Sequence, residues 1–192
     1  CIGAVLVAPN AAWRYFKGFS EASSPDVTAW RGVAFDDSGW SGGQAAFYYE
    51  NQPSSANAFT GNTVLSDMDG GYTCVFLRRT FVVANVNDVA ALQVAGYSDD
   101  GFLAWINGHL VAQFNMPAAE VPYRSASKAA LGEPISWWTN TVTDFQPFLV
   151  TGTNVLAVQA FNSSLGNSSD FIINPALYYT PDLAKPTLTL LY

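Results

Sequence analysis

The chain has 192 residues, enough for one large β domain, and 49% of them are hydrophobic and 15% aromatic. Only 12% are charged, about half the globular norm, and the net charge is -7. That balance argues against phosphate backbones and anionic membrane surfaces as partners, and no apolar run is long enough to insert across a bilayer.

Ala4 to Ala8 reads as a short strand and Trp13 to Phe16 as another. Residues 18–45, rich in Gly, Ser and Asp, read as a long ordered loop, with Trp30 and Trp40 pinning it to the body. Ala46 to Tyr49 is a further short strand, and residues 50–71 a second loop. Tyr72 to Ala84 is the longest β-like run, with Arg78-Arg79 in its middle. Alternation sends those two side chains to opposite faces, and one of them pairs with a loop carboxylate in the Asp36-Asp37 or Asp99-Asp100 loop. Val89 to Tyr97 follows.

Phe102 to Ile106 and His109 to Phe114 flank Asn107-Gly108, the dipeptide that suits a two-residue type I′ turn because both central residues need φ > 0. This pattern predicts a β-hairpin. Residues 115–136 read as loop, since Met116-Pro117 and Val121-Pro122 break any helix. Thr141 to Val150 is a strand or a passage into one. Gly152-Thr153-Asn154 is a turn, and Val155 to Phe161 is so poor in polar residues that it reads as a central strand covered on both faces. Asp170 to Tyr179 closes the body. Pro181 to Pro186 is a linker, and Thr187 to Tyr192 a surplus strand. No segment has capped helical periodicity. The expected fold is all-β: an antiparallel β-sandwich or jelly roll, one domain over residues 1–180, with long ordered loops.

Opening at Cys1 without a Met, the chain reads as processed or excised. Cys1 and Cys74 are its only cysteines; they form one disulfide in an oxidising compartment, or Cys74 is a buried free thiol. Asn162-Ser163-Ser164 and Asn167-Ser168-Ser169 fit the N-glycosylation pattern.

The order of short motifs resembles the galactose-binding-domain-like β-sandwich modules of large secreted bacterial proteins. The pieces are Trp13-Arg14-Tyr15, Trp30-Arg31, Phe35-Asp36-Asp37-Ser38-Gly39-Trp40, Leu77-Arg78-Arg79-Thr80-Phe81, Asp99-Asp100-Gly101, Ile106-Asn107-Gly108, Asn115-Met116-Pro117, the run Gly152 to Val158, and Ser168-Ser169-Asp170. Members of that family often carry Glu and His where Val158-Gln159-Ala160-Phe161 stands here. The resemblance implies a sandwich, and such sandwiches often hold a structural calcium. Calcium takes carboxylates and carbonyls from loops, and the acidic candidates are Asp36, Asp37, Asp99 and Asp100, with Asp67, Asp69 and Asp170 beside them. Each pair also suits a plain Asx-turn.

Catalysis has little support. The single histidine, His109, flanks a hairpin turn and has no nucleophile elbow to serve. The four glutamates, Glu21, Glu50, Glu120 and Glu133, are scattered over loops, without a distinguishable glycosidase pair. Sugar binding needs aromatic faces, and Tyr48, Tyr49, Tyr123, Trp137 and Trp138 fall in or near loops. In each adjacent pair an extended backbone exposes one ring as it buries the other. The expected function is a non-catalytic extracellular or cell-surface binding or adhesion module for a glycan. The alternative is a structural subunit of a filament or surface layer, binding copies of itself through the end strands Ile2 to Ala8 and Thr187 to Tyr192.

Overall fold

The structure is a computed structural model and describes residues 4–184. It contains β1 (Ala4–Val7), β2 (Ala12–Lys17), β3 (Ser41–Gln44), β4 (Phe47–Glu50), β5 (Thr63–Val64), β6 (Cys74–Val83), β7 (Val89–Asp99), β8 (Gly101–Ile106), β9 (His109–Phe114), β10 (Trp138–Val142), β11 (Gly152–Phe161) and β12 (Asp170–Pro181). The first sheet runs β10-β7-β12-β4-β5, with β1 also on β12; the second runs β3-β2-β6-β11-β8-β9. Every pairing is antiparallel except β4 with β5. The fold is a β-sandwich.

Alternation builds the core. Leu77, Phe81, Leu156 and Val158 of the second sheet meet Leu92, Val94, Phe171 and Ile173 of the first. The second sheet is covered outside as well. There Phe76, Leu103, Trp105, Ala157 and Phe161 carry Trp30 and Trp40 from the long loop. Trp30 meets Phe76 and Trp105 edge-on, at 5.1 and 5.6 Å between centroids. That double cover explains why β11 has so few polar residues.

Arg78 fastens the loop. It is 2% exposed; its Nε donates to Asp37 at 2.8 Å, and Nη1 donates to the carbonyls of Trp30 and Gly32. The predicted pairing of one central arginine with a loop carboxylate is therefore present. Arg31 ties this loop to the one after β9: it holds Glu120 in a two-pronged pair at 2.6 and 2.7 Å and stacks over Trp105 at 3.8 Å.

The hairpin forms as expected, with Asn107 and Gly108 at φ 51° and 86°. Three strands fall elsewhere than predicted. Thr63–Val64 lies inside the expected loop 50–71, extended by its parallel pairing with Phe47 and Tyr48. Ser41–Gln44 lies inside the expected loop 18–45; it has no apolar signal because it is an edge strand, held by pairing with Ala12–Tyr15. The strand expected from Thr141 lies instead at Trp138–Val142, pulled in by Trp138, whose ring meets Phe102 at 4.9 Å and Phe114 at 5.7 Å.

Cys74 is a free thiol, wholly buried, and that burial pushes its pKa up, so it stays un-ionised. Cys1 and the strand expected at Thr187 to Tyr192 lie outside the described residues. Asn162 is no glycan acceptor, being 1% exposed with its amide donating to the Tyr49 hydroxyl at 2.6 Å.

Candidate functional site

Two features stand out: an acidic pocket beyond the end of β7, and an aromatic groove on the outer face of the first sheet. The acidic pocket begins with a division of labour between adjacent aspartates. Asp100, 1% exposed, accepts N–H bonds from Leu131 at 2.8 Å and Ser163 at 2.5 Å. It clamps two loops and has no oxygen to spare. Asp99 is 2% exposed, and no N–H donor of the described residues reaches its carboxylate. It faces Glu133 from the loop between β9 and β10 and Asp170 at the start of β12. One oxygen of each lies within 4.8 Å of the others. Glu133 and Asp170 also line a space of about 290 Å³ with Glu50, Asp100, Ser163 and Ser168 among others.

A cluster of this kind keeps its protons or takes a cation. Burial, then the Asp100 carboxyl, then the neighbouring charges push Asp99 up to about 9. A hydrogen bond shared with Asp170, reinforced by burial, raises Glu133 to about 7. The ion pairs among the described residues are Lys17–Asp67, Arg31–Glu120 and Arg78–Asp37, so none neutralises the trio. Three carboxylates with hydroxyl and carbonyl oxygens nearby form a donor set for a hard cation such as calcium.

The four aspartates named from sequence do not converge. Asp36 accepts the Ser38 N–H at 2.9 Å in an Asx-turn, which holds its carboxyl below the ordinary range. Asp37 is taken by Arg78. Asp67 pairs with Lys17 at 2.7 Å, and Asp69 accepts from the Asn51 amide at 2.9 Å. Of the aspartates named from the sequence, Asp99 and Asp170 join the cluster. Their partner Glu133 was counted among solvated loop residues; 34 and 37 positions separate it from Asp99 and Asp170, and no spacing rule reveals such a contact.

The aromatic candidates also separate. Tyr49 is 3% exposed, with its hydroxyl donating to the Ser168 carbonyl at 3.2 Å, so its ring offers no face. Tyr48 is half-buried. Tyr123 is half-buried against the second core. Trp138 packs on the hairpin. Trp137 alone is exposed, and its ring stands edge-on to Tyr97 at 5.0 Å and 78°. Beside that pair runs a groove of about 490 Å³ lined by Asn10, Phe59, Asn62, Tyr97, Ile135 and Asn174. Asn10 and Asn174 grip each other across it through two bonds of 2.9 Å. Tyr97 and Phe59 were not singled out from the sequence; Tyr97 sits in a strand that reads as core.

No protein-family model matches the chain, and no curated protein matches it. Solved structures do. A β-glycosidase from Bacteroides vulgatus is 14% identical with a TM-score of 0.51, matched over 92% of this chain and 20% of its own. A β-glucuronidase from an uncultured Clostridium species is 13% identical at 0.53, over 93% and 30%. A calcium-binding mutant of the β-glucuronidase 2 of Bacteroides uniformis is 17% identical at 0.52, over 90% and 18%. The chain thus spans less than a third of each, and at these identities the likeness is one of fold.

Proposed function

We propose that this chain is a non-catalytic carbohydrate-binding module acting outside the cell, and that a glycan lies along the groove beside Trp137 and Tyr97. The observation that carries this reading is the exposed aromatic pair standing over a groove lined with amide side chains. Aromatic faces take the C–H side of a pyranose, and amides take its hydroxyls.

The neighbours support it: they are glycosidases, and the part this chain resembles is a minor share of each. The acidic trio supports it too. Glycoside hydrolysis needs two carboxyls about 5 to 9.5 Å apart with the scissile bond between them. One oxygen of Glu133 instead lies within 4.8 Å of one of Asp170, short of that span. We assign Asp99, Glu133 and Asp170 to a bound calcium that holds three loops and strand ends together.

Affinity electrophoresis against a panel of neutral and acidic polysaccharides tests the reading. The expected result is retardation on at least one, lost in Trp137→Ala with an unchanged melting temperature. Free migration of the wild type on every polysaccharide would overturn it.

A further inference from the structure

The groove beside Trp137 and the acidic trio lie end to end on one face of the molecule. Alternation along β12 sends Phe171 and Ile173 into the core and leaves Ile172 and Asn174 on the outer face of the first sheet. Strand register sets Tyr97 opposite Asn174 and Asp99 opposite Ile172. Each of three segments thus carries a carboxylate of the trio two residues from a groove residue: Asp99 and Tyr97, Asp170 and Ile172, Glu133 and Ile135.

The groove itself is electrically blank. None of its lining residues is charged, although the chain carries 8 basic and 15 acidic residues. Its polar side chains are the amides of Asn10, Asn62 and Asn174, the Thr60 hydroxyl and the Tyr97 phenol. Asn10 and Asn62 are exposed. Asn10 Oδ1 accepts from Asn174 Nδ2 at 2.9 Å, and Asn62 Nδ2 donates to the Ala45 carbonyl at 2.6 Å. Asn10 therefore keeps a donor, Nδ2, and Asn62 an acceptor, Oδ1, that no hydrogen bond among the described residues uses. A sugar hydroxyl both donates and accepts, so it suits either group. A carboxylate or sulfate only accepts: it gains at Asn10, meets another acceptor at Asn62, and gives up water with no cation to pair with. Toward Ile172 it approaches the trio, where three carboxyls outweigh one divalent ion and offer no net positive charge.

We propose that this groove selects uncharged glycans and rejects those bearing uronate or sulfate. That a glycan lies there rests on the carbohydrate-binding reading above; the selection against charge follows from the lining. Binding comes from ring faces on Trp137 and Tyr97 and from hydroxyls on the amides, neither of which salt screens.

Biolayer interferometry of the full chain on immobilised polysaccharides, with calcium present and chloride at about 0.15 M and then about 0.5 M, tests the selection. The neutral probes are xyloglucan, galactomannan and pullulan; the acidic ones are polygalacturonate, alginate, hyaluronan and chondroitin sulfate. Saturable binding that Trp137→Ala removes is expected on at least one neutral probe and on no acidic probe. The higher salt screens the general repulsion of a chain with net charge -7, so acidic probes should stay unbound there as well. The neutral affinity should hold within about twofold between the two salts. Carboxymethylating the neutral polymer that binds should weaken it at least about tenfold, and hydroxyethylating it to the same degree by less than about threefold. Binding to an acidic probe that Trp137→Ala removes, or carboxymethylation without effect, would overturn the selection and leave the glycan reading standing. No binding to any probe would bring down the glycan reading and the selection with it.

Discussion

The acidic pocket and the cleft lined by Arg14, Arg78 and Arg79 each gather like charges, but at different depths and with Asp37 as a counter-charge only in the cleft. Asp99 is 2% exposed, and so its charge is opposed by lost solvation as well as by Glu133 and Asp170. Arg14 is exposed and Arg79 half-buried, so water and salt screen their charges. The difference teaches where each site's energy goes. In the acidic pocket, occupancy by protons or a cation is tied to the stability of the fold. In the cleft, the exposed charge of Arg14 leaves the fold almost indifferent.

Arg78 gives the sharpest way to break that comparison, because it lies in the cleft but is buried and paired. Arg78→Leu strands Asp37 and the Trp30 and Gly32 carbonyls, and should cost about 3–5 kcal/mol in chemical denaturation. A loss below about 1 kcal/mol would show that depth is not what separates the two regions.

Next in size is the cation. Calcium at a hundred times its dissociation constant should add about 2.7 kcal/mol relative to chelator, read as a rise in melting temperature. Asp99→Asn should abolish that rise and leave the stability of the calcium-free protein at neutral pH within about 1 kcal/mol, since a carboxyl raised to about 9 is already uncharged there. A calcium response that survives in Asp99→Asn puts the ion elsewhere.

The pH dependence follows from the same groups. Both carboxyls are raised in the folded state, so the folded protein holds their protons more tightly than the unfolded chain. Their stabilisation is complete below ordinary values of 3.8 and 4.5 and is lost as pH rises through about 7 for Glu133 and about 9 for Asp99. In chelator, the melting temperature should fall between pH 5 and pH 9, and calcium should flatten the slope. The smallest effect belongs to the cleft: Arg14→Gln should change stability by less than about 0.5 kcal/mol.

What the sequence disclosed depended on how local the cause was. Asn107-Gly108 dictates its own turn, so the hairpin was legible. The run Val155 to Phe161 announces burial on both faces by composition alone. Adjacent aromatic pairs announce that one ring is in and one out, but which of Trp137 and Trp138 faces solvent depends on Phe102 and Phe114, contributed by the hairpin. Ser41–Gln44 was read as loop because its reason to be extended is the neighbouring β2. Asp99 and Asp170 were legible as candidates, but the trio was not: Glu133 reaches them only through the packing of a long loop against a strand end. The arginine-lined cleft was hidden for the same reason, since it exists only where β2 and β6 pair.

The aromatic layer outside the second sheet bears on how this scaffold can be altered. Residues 18–45 look like a segment to shorten or randomise, yet Trp30 and Trp40 within it close a second core, and Arg78 is anchored to their carbonyl side. Trimming that stretch would strip one side of β6, β11 and β8 and turn a surface edit into a folding defect. New specificities are better engineered into residues 50–62 and 124–137, whose side chains are mostly exposed or half-buried.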